Sequence, residues 1–366
     1  MSKVYMVKFD WKATNIMRRI QDLLNAAKVN EMIGEGEIIA IKVHLGERGN
    51  FRHPRPQIIR SVVDYVKKHG GKPFVTDTTT LYAGYRGDAV DYLETAAMNG
   101  FTMGTINAPV IIADGLRGRD AVEVKVGGEL GKVDVAAAIA EADAMIVISH
   151  VKFHLSFGFG GALKNLAMGC TARATKFAMH STSKPTVDVD RCTGCRLCER
   201  HCRWEAIRVI EGKARIDYEK CVGCGDCLAI CRSGAITIPW DRTDRIQRLA
   251  AQAAKGVLMT FEKNKVFYIN LLMEVTRYCD CGTFLESPVI PDIGILGSYD
   301  PVAIDQASMD LINAMPGYLF KEGRYEFVKP GEDKAKLYYP ELNWWVILEE
   351  AERLGLGSRK YEIVTI

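Results

Sequence analysis

The sequence has no run of about 18 apolar residues, the length a membrane-crossing helix requires, so a spanning protein is not expected. It has no excess of charge of either sign. Lys and Arg number 48 against 45 Asp and Glu, a formal net charge of +3, which gives no electrostatic basis for binding nucleic acid or an anionic membrane. Nor is it short of apolar residues: 48% are hydrophobic and 25% charged, values that exclude an intrinsically disordered chain. The opening residues, MSKVYMVKFDWK, lack the apolar core of an export signal, so the expected location is cytoplasmic. Eleven cysteines are present, an odd number in a chain of 366 residues. Without an export signal, that argues against a disulfide scaffold and for thiolate chemistry in a reducing compartment.

Eight of these cysteines fall in two copies of one pattern. Cys192, Cys195, Cys198 and Cys202 recur 29 residues later as Cys221, Cys224, Cys227 and Cys231, and Ala206-Ile207 recurs as Ala235-Ile236. Three thiolates at i, i+3 and i+6 can grip three irons of a cubane from one tight loop, and the fourth iron needs a thiolate from elsewhere. In the bacterial two-cluster arrangement the fourth cysteine of each run serves the other cluster. Cluster one is then expected on Cys192, Cys195, Cys198 and Cys231, and cluster two on Cys221, Cys224, Cys227 and Cys202. Structural zinc fits poorly, since zinc sites use two Cys-x2-Cys pairs set further apart. Gly194, Gly223 and Gly225 suit loops whose backbone approaches cluster sulfurs closely. The segment resembles a bacterial-type two-cluster ferredoxin domain, with Arg203 and Arg232 where such domains usually carry proline.

The flanking sequence reads as α/β. Apolar, β-branched runs at 37–45, 144–151 and 266–275 predict buried strands, and 73–77 a further one. Between them, 14–28, 56–69, 89–99, 244–255, 301–312 and about 342–354 predict helices. The expected architecture is a mainly parallel sheet with helices on both faces, formed by residues 1–184 and 241–366 and interrupted at 185–240 by a small ferredoxin-like α+β domain. The polar stretch Ser181-Thr182-Ser183-Lys184-Pro185 marks the entrance to the insert and Pro239 its exit.

A two-cluster relay needs a destination, and residues near predicted strand ends supply candidates. The glycine-rich turn Gly158-Phe159-Gly160-Gly161 opens a helix, whose N-terminus favours an anion; Lys152, His154 and Lys164 surround it. As a motif it matches neither a Walker loop nor the dinucleotide fingerprint. Cys170, His180 and the pair Cys279-Asp280-Cys281 are candidate metal or redox residues, against the alternative that each thiol is a small core hydrophobe. Asp292 and Asp305 complete the candidate catalytic set, while Asp300 needs no role beyond capping a helix that begins at Pro301. Lys42, His44 and Asp77 sit at further strand ends.

Together these segments (Lys42-Val43-His44-Leu45-Gly46-Glu47, Lys152-Phe153-His154, Ala162-Leu163-Lys164-Asn165, Met168-Gly169-Cys170, Cys279-Asp280-Cys281, and 292–305) resemble the uncharacterised iron–sulfur centre proteins whose large domain is domain-of-unknown-function family 362. The resemblance covers nearly the whole chain. It implies an anaerobic or archaeal source and two 4Fe–4S clusters, and it implies no particular reaction. Three functions follow as expectations: electron transfer to a redox partner protein or a small anionic substrate, an oxidoreductase among them; an enzyme acting on an anionic ligand with structural clusters; or a metal-handling protein with an additional metal on Cys170, His180, Cys279 and Cys281.

Overall fold

The computed structural model describes residues 1–9, 15–82, 84–180, 184–202, 204–221, 223, 225–238, 244–282, 286–321 and 324–366. Of the residues singled out above, Ser181, Thr182, Ser183, Arg203, Cys224 and Pro239 lie outside the described residues, as does Thr14 at the start of the first predicted helix.

Eight strands form one sheet in the order Tyr361–Thr365, Ser2–Lys8, Gly294–Ser298, Val266–Leu272, Ala144–His150, Ile38–Val43, Lys72–Asp77, Val110–Ile112. Only Gly294–Ser298 runs against its neighbours; every other pairing is parallel. The predicted strands are thus present: those at 37–45, 144–151 and 266–275 are trimmed to the residues that pair, and that at 73–77 begins one residue earlier. Alternation explains why the central runs are apolar throughout. Met145 and Val147 face one core, with helices Ala162–Gly169, Asp244–Leu258, Pro301–Ala314 and Val346–Arg353. Ile146 and Ile148 face the other, with Ile16–Ala26, Pro56–Lys68 and Ala89–Met98. A strand covered on both faces has no solvent side to make polar. Pro56 occupies the first turn of its helix, and the aromatic stretch near the C-terminus packs inward, with Tyr339 and Trp344 buried.

Residues 186–237 repeat one small plan twice. Thr186–Val187 pairs with Ile236–Thr237, Ile207–Ile210 pairs with Lys213–Ile216, and two short helices, Leu197–His201 and Asp226–Ile230, each run into the fourth cysteine of a run, Cys202 or Cys231. The segment rests on the α/β layers through one contact zone. Leu81 and Phe177 join its apolar cluster, and the buried Asp226 carboxylate takes Arg173 Nη1 at 3.0 Å and Arg119 Nη2 at 2.5 Å. Gly223 and Gly225 are required here. Both have positive φ (71° and 78°), and a Cβ on either would run into Phe177 or Leu81.

Candidate functional site

Four parallel strands end on one side of the sheet, and the loops that follow them enclose a cavity of about 370 Å³. Its floor is an ion pair. Lys42 Nζ lies 2.9 Å from Asp77 Oδ1 and 2.6 Å from Asn165 Oδ1, while Tyr92 donates its hydroxyl to the other Asp77 oxygen. One wall is built on Asp280, which is wholly buried. Its Oδ1 accepts from Lys152 Nζ at 2.7 Å; its Oδ2 is 3.4 Å from His150 Nδ1 and 3.9 Å from His44 Nδ1. Burial alone would raise the Asp280 pKa, but Lys152, with His44 and His150, holds it well below the usual carboxylate range. The other nitrogen of His150 faces the carbonyls of Met273 (3.0 Å) and Glu274 (3.2 Å). Burial, with Arg86 alongside, pulls His44 down to about 3 against the pull of Asp280, so its imidazole is neutral at pH 7.

The turn carrying Cys279 and Cys281 closes the same wall. Gly282 N–H donates to the Cys279 carbonyl at 3.2 Å, and Cys281 N–H reaches Cys279 Sγ at 3.3 Å. Outside donors fix this turn. Tyr82 Oη (2.8 Å) and Arg86 Nη2 (3.0 Å) both donate to the Cys281 carbonyl, and Asn50 Nδ2 donates to that of Gly282 at 2.6 Å. Arg86 is itself held by Glu47 at 2.9 Å. The thiols are unequal. Cys279 is buried, and burial together with its hydrogen bond to Cys281 pushes it up to about 12. That same hydrogen bond, aided by Lys164 and Arg86, brings the half-buried Cys281 down to about 6. Ligand atoms of His154, Cys279 and Cys281 lie within 4.8 Å of one another, close enough for one soft cation. Lys164, Lys176 and His180 complete the lining. Lys176 Nζ donates to Thr78 Oγ1 (2.7 Å) and the Thr171 carbonyl (2.6 Å), and burial lowers it to about 8 despite Asp114.

The cavity thus brings together Lys152, His154, Lys164, His180, Cys279 and Cys281, with Gly160 and Gly161 in its lining and Asp280 directly behind. Four other candidates are placed elsewhere. Cys170 ends its helix inside the apolar core, 4.0 Å from Met145 Sδ, and burial pushes its thiol up to about 12. Asp292 is on the surface, where it accepts the Glu274 N–H at 2.6 Å. Gly158 lies outside the cavity, packed on Trp344. Asp305 corrects the anion-site expectation: its carboxylate accepts the N–H groups of Ala162 (2.7 Å) and Leu163 (2.9 Å) and the Asn270 amide (2.8 Å). The helix N-terminus expected to hold a ligand is therefore capped by the chain itself. Sequence reasoning missed Tyr82, Arg86 and Lys176. The run Thr78-Thr79-Thr80 directly after a strand was the available signal for the first two, since hydroxyl-rich turns at strand ends line cavities.

In the cysteine-rich segment, Cys192, Cys195, Cys198 and Cys231 line one small cavity, and Cys202, Cys221 and Cys227 line another. Backbone N–H groups point at two of these sulfurs, Ala214 at Cys192 (3.4 Å) and Ala206 at Cys202 (3.3 Å). A zinc ion with bonds of about 2.3 Å holds its tetrahedral sulfurs under about 4 Å apart. Among the described residues, His154, Cys279 and Cys281 make up the one group of three or more such ligands within 4.8 Å. No three of Cys192, Cys195, Cys198 and Cys231 are that close, a spread that suits a polynuclear cluster better than a single ion.

The family described as Domain of unknown function (DUF362) matches residues 39–310, from the second strand of the chain to within the helix Pro301–Ala314. No curated protein matches the chain. Among the solved structures that align with it are these two. One is a protein from Thermotoga maritima (10% identity, TM-score 0.39, covering 77% of this chain and 54% of that one). The other is the lactate racemase apoprotein from Thermoanaerobacterium thermosaccharolyticum (11% identity, TM-score 0.35, covering 74% and 51%). The chain spans about half the length of each. Among the described residues no helix is long and apolar enough to cross a membrane.

Proposed function

The chain belongs to the DUF362 family, and we propose from its own residues that it is an iron–sulfur electron-transfer protein. In this reading residues 185–240 are a ferredoxin-like unit set into an α/β domain made of 1–184 and 241–366. One 4Fe–4S cluster would be held by Cys192, Cys195, Cys198 and Cys231, the other by Cys221, Cys224, Cys227 and Cys202. The clusters supply single electrons at low potential. Cys195 is the exposed cysteine of the first set, so electrons from a redox partner protein enter there.

The observation that carries the reading is the helix Arg173–His180. Lys176 and His180 line the cavity, while Arg173 and Phe177 of the same helix hold the loop of Cys221–Cys227 through Asp226 and Gly223. Leu81 likewise belongs both to the cavity lining and to the apolar cluster of the cysteine segment. One layer of side chains separates the second cysteine loop from the cavity, a short path for an electron. Within the cavity Lys164 and His180 meet an anionic substrate, and the Asp280–Lys152 pair fixes the wall against which it lies.

The test is reversible reduction. Protein reduced anaerobically is mixed with a panel of small carboxylate and phosphate oxidants. The reading expects both clusters to bleach, then recover with at least one oxidant, more slowly in a Lys164→Met variant. Clusters that cannot be cycled, or zinc in place of iron, would overturn it.

A further inference from the structure

Resting on that reading, we infer that Cys279 and Cys281 form a redox-active dithiol, which collects electrons arriving singly through the clusters and delivers them as a pair to a small anionic disulfide bound at Lys164.

The geometry is that of an attacking and a resolving thiol. Both line the cavity, Cys281 half-buried and Cys279 buried, with the two sulfurs within 4.8 Å. Closing them to a disulfide of about 2.05 Å joins two sulfurs that the turn from 279 to 282 already holds within 4.8 Å of each other. Tyr82, Arg86 and Asn50 grip that turn by its carbonyls, so its frame stays put while the sulfurs move.

A bound metal is the competing use of this pair, and the third ligand argues against it. His154 Nδ1 accepts the Ser156 backbone N–H at 3.0 Å. A backbone amide can only donate, so the neutral ring keeps its proton on Nε2 and has no lone pair left for a cation. The substrate class follows from what remains in the cavity. Thiolates exchange with the electrophilic sulfur of a disulfide. Among the described residues no hydrogen bond or ion pair engages Lys164 Nζ, whose ammonium lies 5.7 Å from the centre of the Phe157 ring and can receive a carboxylate or phosphate. A volume of about 370 Å³ admits one small molecule.

The steps balance. Cys281 thiolate attacks one sulfur of the substrate; the new S–S bond forms as the substrate's own breaks, and the departing thiolate takes a proton from solvent. Cys279 gives its proton to solvent and attacks Cys281, forming the internal disulfide and releasing the second half of the substrate, which is protonated in turn. That disulfide then accepts two electrons, passed singly through the clusters from the partner protein, and one proton, which restores the Cys279 thiol and the Cys281 thiolate. In sum, one disulfide, two electrons and two protons give two thiols.

Oxidised glutathione, a disulfide bearing carboxylates, serves as the probe. Holo-protein treated with it anaerobically should show Cys279 and Cys281 linked in one peptide by mass spectrometry and closed to iodoacetamide. Photoreduction of the clusters should free both thiols, with two clusters re-oxidised per disulfide opened. Cys279→Ser should keep its iron and accumulate a glutathione adduct on Cys281, and Lys164→Met should need at least tenfold more glutathione. Thiols that stay open to alkylation, equal cluster re-oxidation in Cys281→Ser, or a stoichiometric metal on the pair would overturn the inference while leaving the electron-transfer reading intact. Protein without iron would strike that reading, and this inference with it.

Discussion

Replacing Asp280 by Asn removes one charge and almost no volume from the most buried part of the cavity wall. The carboxylate is inaccessible, its Lys152 partner is 9% exposed, and the two lie 2.7 Å apart. Asn leaves the Lys152 ammonium buried with only the His150 carbonyl, 2.8 Å away, as a strong acceptor. Breaking a buried pair by removing one member costs about 3–5 kcal/mol. With an unfolding entropy of about 2.1 cal/mol/K per residue over 366 residues, the transition entropy is about 0.77 kcal/mol/K, so the melting temperature should fall by about 4–6.5 °C. Anaerobic thermal scans by circular dichroism on the holo-protein measure this. The decisive comparison adds Lys152→Met alone and the double variant. The double buries neither charge, so it should recover about half the loss or more. A drop below about 1 °C for Asp280→Asn, or losses that simply add in the double, would refute the reasoning.

Three further outcomes follow from the same geometry. Cys202→Ala should remove the electron paramagnetic resonance signal of the cluster assigned to Cys221, Cys224 and Cys227 and leave that of its sequence neighbours, because Cys202 shares a cavity with Cys221 and Cys227. His44 is held near 3 in the folded chain against an ordinary 6.5, so between these values the unfolded chain binds more protons and stability is lost as pH falls. That contribution amounts to about 1.4 kcal/mol per pH unit, and urea titrations of His44→Asn from pH 6.5 to 4 should show a flatter dependence than the wild type. Arg173→Met removes the guanidinium that ties Asp226 to the cavity helix, so hydrogen exchange should accelerate in both Arg173–His180 and Asp226–Ile230, the two helices this contact joins.

What was legible in the sequence was local. The central strands could be read because a strand covered on both faces must be apolar at every position, as 144–150 is. The cysteine runs could be read because three ligands on one loop fix their spacing within seven residues. The pair Cys279 and Cys281 stood out through the aspartate between them, which has no place in an ordinary core. The misreadings are long-range. Asp305 attracted notice as a carboxylate among apolar neighbours, but its partners are backbone groups 143 and 142 positions away, a pairing only the folded sheet creates. Cys170 follows a glycine at a helix end much as a site residue would, and only the packing against Met145 assigns it to the core. Arg86 had only the hydroxyl-rich turn before it as a signal, for the same reason: Glu47 and His44 of one segment and the Cys281 carbonyl of another, far along the chain, converge on it.

The central claim is that the cysteine segment carries two electron-transferring clusters, and one measurement tests it most directly: iron and acid-labile sulfide analysis of anaerobically purified protein, with a reductive titration followed by electron paramagnetic resonance on the same sample. The account predicts about eight iron and eight sulfide per chain and two low-potential electrons taken up reversibly. One or two zinc ions per chain, or iron that takes up no electron reversibly, would contradict it.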